Sequence, residues 1–268
     1  MTAISIKIEQ VIVLIFDTHA HYDDDKFDED RDSLLKELHS NGIEYILNAS
    51  ADINSLDASI ELSGKYDFVY AALGIHPHYA EEITEDIIEK IKILARNSKV
   101  VAIGEIGLDY YYDNSPRDIQ RYWFERQIEL AKELQLPIII HDRDAHEDTV
   151  NIIKKTDAKQ VGGIFHCFSG SREMALDMLK HNLYIAVGGA VTFKNSRKIK
   201  EVVEAVPLDK LVVETDCPYL TPEPYRGKRN NSGYLVHILE KIAEIKGVSM
   251  NEVAEATLIN AKKVFKII

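Results

Sequence analysis

The chain has 268 residues, 46% hydrophobic and 28% charged, a balance that excludes a disordered or fibrous polypeptide. A formal net charge of −12 at pH 7, with a pI near 5.3, excludes a protein that grips nucleic acid with a broad basic surface. Any polyanionic substrate must be captured locally, by metal ions or a small basic cluster. Two cysteines, Cys167 and Cys217, are too few for a disulfide framework and are expected to be free thiols of a cytoplasmic protein. No apolar segment approaches the length of a membrane span, and the apolar stretch within residues 1–15 is broken by Glu9 with no cleavage site after it.

In chain order, eight apolar, β-branched runs read as strands: Val11–Asp17, Ile43–Asn48, Phe68–Leu73, Val100–Gly104, Pro137–Ile140, Gly162–Phe165, Leu183–Val187 and Leu211–Val213. None alternates cleanly with polar residues, as expected for strands covered on both faces. Between them lie helical patterns. One begins at Ser33-Leu34-Leu35 and stops at Asn41-Gly42; others occupy Ile83–Ala95, Tyr122–Leu136, 143–155, 171–181 and 196–205. A helix near 234–246 follows the last strand, and Ser249-Met250-Asn251-Glu252 has the form of a capping box opening a final helix. Eight strand–helix alternations without a long linker predict an α/β fold, a single TIM-type (βα)8 barrel with C-terminal helices over residues 1–268. No Gly-x-Gly-x-x-Gly follows the first strand, which argues against a dinucleotide fold. Residues 1–15 form an extra arm or leading strand, expected to be dispensable for catalysis.

The reactive residues fall at the C-terminal ends of these strands, where a barrel builds its active site. The first run leads into Phe16-Asp17-Thr18-His19-Ala20-His21, whose two histidines, two residues apart, point to one face of an extended chain. The third leads into Gly74-Ile75-His76-Pro77-His78 and the fourth into Gly104-Glu105-Ile106-Gly107-Leu108-Asp109. The fifth ends in His141, the sixth in His166-Cys167 and the eighth in Glu214-Thr215-Asp216-Cys217-Pro218. Imidazole and carboxylate donors suit Zn, Mn, Fe or Mg. Four histidines with Glu105 and Asp216 suffice for two divalent ions sharing a carboxylate, the arrangement that clamps the attacking and leaving oxygens of an in-line displacement.

These stretches, with Leu136-Pro137-Ile138-Ile139-Ile140-His141, His166-Cys167-Phe168-Ser169-Gly170 and Arg226-Gly227-Lys228-Arg229-Asn230, resemble the TatD family of metal-dependent deoxyribonucleases, barrel hydrolases related to the amidohydrolases. The resemblance runs in order from residue 16 to 230. It implies that Glu105, His141 and His166 hold one metal and His19, His21 and Asp216 the other, with Glu105 bridging. It implies an exonuclease acting on DNA, with RNA left open as a further substrate, through metal-bound hydroxide with Mg²⁺ or Mn²⁺; the donor types admit Zn²⁺ as well. Two features depart from the family pattern. About fifteen residues precede the first His-x-His, and Arg-Gly-Lys-Arg-Asn is followed by Asn231-Ser232 instead of Glu-Pro.

Asp216 is expected to be both ligand and general base, with Glu105 the other catalytic carboxylate. His76, Arg226, Lys228 and Arg229 are expected to bind substrate, His76 alternatively touching a third metal. His78 reads as surface or structural, and Glu214 as the partner of a basic neighbour. Cys167 and Cys217 read as small core residues, Asp142, Arg143 and Asp144 as helix-start and rim charges. Tyr110-Tyr111-Tyr112 has the residues to stack bases, although packing suits at least two of those rings. The competing enzyme is a metal-dependent amide or ester hydrolase such as an aminoacyl-tRNA deacylase; a non-catalytic metal-stabilised scaffold has no use for six ligands and an open mouth. Many amidohydrolases carry a carboxylated lysine where this chain has Glu105, which favours the phosphodiesterase. The expected partner is nucleic acid, with no membrane, and a monomer is expected rather than an oligomer.

Overall fold

A computed structural model describes residues 13–267. Eight parallel strands lie side by side in sequence order: β1 (Ile15–Ala20), β2 (Ile43–Ala49), β3 (Val69–Ala72), β4 (Val100–Asp109), β5 (Ile138–Arg143), β6 (Gly163–Phe165), β7 (Leu183–Val187) and β8 (Leu211–Val213). The ring closes between β8 and β1. Ala20 bridges Cys217, the Asp216 amide donates to the His19 carbonyl at 3.0 Å and the His21 amide to the Cys217 carbonyl at 2.9 Å. Helices cover the outside: α1 (Arg31–Ser40), α2 (Ile53–Lys65), α3 (Glu85–Leu94), α4 (Arg117–Leu134), α5 (His146–Lys155), α6 (Arg172–Leu179), α7 (Arg197–Ala205) and α8 (Leu235–Lys246). The expected TIM-type barrel is therefore the fold, and no described helix is long and apolar enough to cross a membrane.

The core has two layers. The larger fills the space between sheet and helices. The smaller draws side chains from every strand, among them Phe16, Leu47, Ala72, Ile139, Ile164 and Val212, and so fills the interior of the ring. The final helix, α9 (Met250–Phe265), opens on the expected Ser249/Glu252 capping box. Its Ala261 and Phe265 join the inner layer, the Phe265 ring 5.5 Å from Phe16 near the start of β1. The barrel is thus plugged at its N-terminal end and left polar at the other.

Several boundaries differ from the sequence reading for identifiable reasons. The first strand is Ile15–Ala20 instead of Val11–Asp17, because the polar residues of the His-x-His stretch find partners across the β8–β1 seam. Thr18 Oγ1 donates to the Val213 carbonyl at 2.9 Å, and Asp17 accepts from the Thr215 amide and hydroxyl at 3.0 and 2.6 Å. Val11 and Ile12, with most of the proposed arm, lie outside the described residues. Helix α4 begins five residues before Tyr122, at Arg117. Two polar residues on its inner face, Gln120 and Gln127, are buried and hydrogen-bonded to the backbone of Asp109 and Ile75, which hides the apolar periodicity. Helix α2, which carries no strong apolar stripe, is signalled by its Asp52/Ser55 capping box.

Strand β4 does not stop at Gly104 but runs to Asp109, which places Glu105 and Asp109 inside the sheet. Gly107 makes this possible. It sits at φ +151°, and a Cβ there would lie 1.9 Å from the His141 carbonyl oxygen of β5. Gly107→Ala should therefore destabilise the fold by roughly 3 kcal/mol, combining overpacking with a backbone conformation reserved for glycine. The midpoint of denaturant unfolding reads this directly; a shift equivalent to under about 0.5 kcal/mol, the range of an ordinary surface substitution, would contradict the tight β4–β5 approach.

Candidate metal centre

Strand alternation builds the site. Ile139, Ile164 and Val212 point into the ring, so His141, His166 and Glu214, each two residues further on, point the same way above them. His76 lies beyond the end of β3, where its ring caps the short 3-10 turn Pro77–Glu82. These groups converge at the mouth of a cleft of about 880 Å³ that includes His21, Glu105 and Asp216 in its walls.

Glu105 lies at the centre, and its two oxygens face different imidazoles. Oε2 is 3.3 Å from His19 Nε2 and 3.9 Å from His21 Nε2. Oε1 is 2.7 Å from His141 Nδ1, 3.6 Å from His166 Nε2 and 3.8 Å from His76 Nε2. Asp216 Oδ1 approaches His21 Nε2 at 3.3 Å and both His19 Nε2 and His166 Nε2 at 3.8 Å. The donor atoms of His19, His21 and Asp216 converge as one group, and those of His76, Glu105 and His141 as another. His166 converges with His19 and Glu214, its ring stacked on His19 at 3.6 Å.

Neighbours aim these ligands. His21 Nδ1 donates to the Ala49 carbonyl at 2.9 Å, which leaves Nε2 with its lone pair toward the cleft. Glu214, read as partner to a basic neighbour, accepts from His166 Nδ1 at 2.9 Å and from the Cys167 amide at 2.7 Å. Asp109 Oδ2 lies 3.1 Å from His141 Nε2 and 3.0 Å from His78 Nε2. Asn230 donates to the carbonyls of Thr215 and Tyr219 at 2.9 and 2.6 Å, bracketing Asp216. His78 takes the structural role given as one of its two readings, while Asp109 and Asn230 are supporting residues to which the sequence assigned no role. The available signal was that Asp109 lies an even number of residues beyond Glu105 on the same strand.

The remaining expectations divide. Cys217 is buried as a small core residue, but Cys167 is only partly buried, at φ +42°, where the chain turns out of β6. Asp142 is a helix-start charge and not a rim charge: it is buried and accepts from His146 Nδ1, at the first residue of α5, at 2.5 Å. Arg143 is exposed at the rim and lines the cleft, and so does Tyr112. Arg226, Lys228 and Arg229 lie on the loop after β8 but not in the cleft wall. Arg226 stacks on Phe193 at 3.9 Å, Lys228 is exposed, and Arg229 is bound to Asp30 at 2.6 and 2.8 Å.

The electrostatics suit a cation. Burial opposes the charge on Glu105, yet His19, His166 and His76 hold its carboxyl well below the usual range. Burial likewise opposes Asp216, and the hydrogen bond from His21 with the neighbouring imidazoles holds it low. Burial lowers His19 and His76. It works against His21, His141 and His166 too, but adjacent carboxylates overcome it and raise them to about 10, 9 and 9. His19 Nδ1 is buried without a hydrogen-bond partner. Imidazoles oriented by carbonyl or carboxylate partners, around two ionised carboxylates, are a donor set that fits divalent metal. Because a ligating imidazole must be neutral, loading at pH 7 should release protons. Without metal, the raised histidines stabilise the fold fully below their ordinary pKa of 6.5, and that contribution is lost as pH rises through 9 to 10. Titration calorimetry in two buffers of different ionisation enthalpy measures the release; identical heats would contradict ligation by these histidines.

Comparison with known proteins places the chain in a family. The TatD-related DNase family model matches residues 16–266. An uncharacterized metal-dependent hydrolase of Bacillus subtilis, YabD, is 48% identical over 95% of this chain and its own full length. The 3'-5' ssDNA/RNA exonuclease TatD of Erwinia tasmaniensis is 30% identical over 94% of this chain and all of its own. The crystal structure of the TatD homolog YJJV from Escherichia coli superposes with a TM-score of 0.90 at 30% identity, over 96% of this chain and all of that one. The chain belongs to the TatD-related DNase family and is a metal-dependent hydrolase.

Proposed function

We propose that this chain hydrolyses phosphodiester bonds of DNA, and by the same chemistry RNA, removing nucleotides from a strand end. Two divalent ions, Mg²⁺, Mn²⁺ or Zn²⁺, would be held by His19, His21, Glu105, His141, His166 and Asp216. The observation that carries this reading is the split environment of Glu105, one oxygen toward His19 and His21, the other toward His141 and His166. The exonuclease activity named for the Erwinia relative supports the substrate class. Bound there, such ions supply positive charge to a phosphoryl group and make water a stronger acid.

The chain's own groups do the rest. Asp216 turns Oδ1 toward His19 and His21, which leaves its second oxygen to take the proton from an attacking water. Glu214 and Asp109 hold His166 and His141 in register. His76, beside Glu105, is placed to meet a phosphate oxygen or the leaving group. Arg226 and Lys228 add exposed charge beyond the cleft, while Arg229 anchors its loop to Asp30. A second reading has a specific observation behind it. Asp23, Asp24, Asp25 and Asp52 line one lip of the cleft and would attract an amine, as in the deacylation of aminoacyl-tRNA.

The deciding experiment incubates the protein with end-labelled single- and double-stranded DNA and RNA, and with aminoacyl-tRNA, under Mg²⁺, Mn²⁺ or Zn²⁺. Stepwise mononucleotide release is expected; deacylation without strand scission would replace the nuclease reading by the second. Asp216→Asn should keep the fold and at least one ion on Glu105, His141 and His166 while lowering single-turnover cleavage by about 10²–10⁴, the worth of a general base. Metal occupancy measured in parallel separates loss of the base from loss of an ion. A variant that keeps both ions and cleaves within a few-fold of the parent would remove Asp216 from the base role. Anomalous scattering should show two ions per chain, with Glu105 on both; one ion at saturation would end the binuclear assignment.

A further inference from the structure

The chain after β4 and after β8 turns in a similar way, each time bringing a tyrosine back toward an acidic residue of the site. In Asp109-Tyr110-Tyr111-Tyr112 the Tyr112 amide donates to Asp109 Oδ1 at 2.9 Å. In Asp216-Cys217-Pro218-Tyr219 the Tyr219 amide donates to the Asp216 carbonyl at 2.9 Å. Each tyrosine therefore stands three residues past an acidic residue of the site, tied by one hydrogen bond to the Asp109 carboxylate or to the Asp216 backbone carbonyl. Both line the cleft, yet neither fills a core: Tyr112 is 54% and Tyr219 47% exposed. Each ring carries a cation, the Arg143 guanidinium 4.7 Å from the Tyr112 centroid and Lys26 Nζ 4.2 Å from that of Tyr219. Their orientations are set elsewhere. The Tyr112 ring meets the edge of His78 at 5.3 Å, and the Tyr219 hydroxyl donates to Asp24 at 2.8 Å. In a closed ring of eight strands, β4 and β8 are four positions apart, so the two tyrosines follow strands on opposite sides of the mouth.

We propose that Tyr112 and Tyr219 are paired stacking platforms for the two nucleobases flanking the scissile phosphate, with Arg143 and Lys26 offering charge to the adjoining phosphates. The proposal rests on the nuclease reading and gives a physical basis, in two named rings, for the single strand named for the Erwinia relative. Exposed rings at fixed positions stack on any base, because every base has a π-face, whereas a base inside a duplex is already stacked and paired. Two platforms on opposite sides require the flanking bases to be splayed apart, which only a single-stranded or frayed end allows. This also accounts for binding by an acidic chain. Stacking does not depend on net charge, and only two local cations are needed beside the metal centre.

The test compares cleavage of a single-stranded oligonucleotide with that of the same strand carrying tetrahydrofuran in place of the two nucleosides that flank the scissile bond. The parent should favour the intact strand in kcat/KM. Tyr112→Ala and Tyr219→Ala should each shrink that preference by about 5- to 160-fold, the worth of one stacked base. Tyr112→Phe and Tyr219→Phe, which keep the ring, should retain most of it. Cleavage with an unchanged preference in the Ala variants, or Phe variants as deficient as Ala, would overturn the platforms and leave the nuclease reading standing. Absence of cleavage of any strand by the metal-loaded parent would overturn both.

Discussion

The structure depends on holding charge where a closed sheet excludes water. The same alternation that sends Ile139, Ile164 and Val212 into an apolar interior sends His141, His166 and Glu214 into the layer above it. Unpaired charge there would cost several kcal/mol per group, so every such group must have a partner. The partners are present and specific: Glu214 for His166, Asp109 for His141, the Ala49 carbonyl for His21 and Thr215 with Ser232 for Asp17. Asp17 shows the strain of this arrangement: burial pushes its carboxyl up to about 7 despite those hydrogen bonds. His19 Nδ1 is the unpartnered buried side-chain atom among the described residues.

The supporting network ties the metal centre to its rim. Asp109 bonds two imidazoles with one oxygen and the Tyr111 and Tyr112 amides with the other. Asn48 accepts from the Tyr22 amide and donates to Asp23, fixing the chain just past His21. Asn230 does the same for the chain around Asp216. Ligand positions and rim positions are therefore set by the same few bonds. A substitution at Asp109 or Asn230 would disturb both at once, through residues that touch no substrate.

Charge is distributed against the overall balance of the chain. One lip of the cleft is acidic, from Asp23 to Asp25 with Asp52, while Arg143 lies in the wall on the side of β4 and β5. Of the basic residues after β8, Arg229 is neutralised by Asp30 and Arg226 lies over Phe193. A polyanion entering the cleft would meet Arg143, not a broad basic surface. Association with such a site is less sensitive to salt than binding by many phosphate contacts.

The sequence by itself determined the number and order of the strands, the single barrel, and the residues that reach its mouth. Both kinds of information are local. An apolar run marks a strand, and a residue an even number of positions beyond an inward-facing one must face inward too. His141 and His166 were legible for that reason, and His19, Glu105 and Asp216 because they lie in contiguous family motifs. Only the tertiary structure decided who faces whom, since those pairs join residues far apart in the chain: His166 with Glu214, Asn230 with Thr215, Arg229 with Asp30. It also decided where β1 and β4 end, because polar Asp17 and Thr18 become strand residues only once β8 lies beside them, and Gly107 only once β5 does. A hydrogen bond across the ring leaves no periodic trace in the sequence. It exists only when the sheet closes.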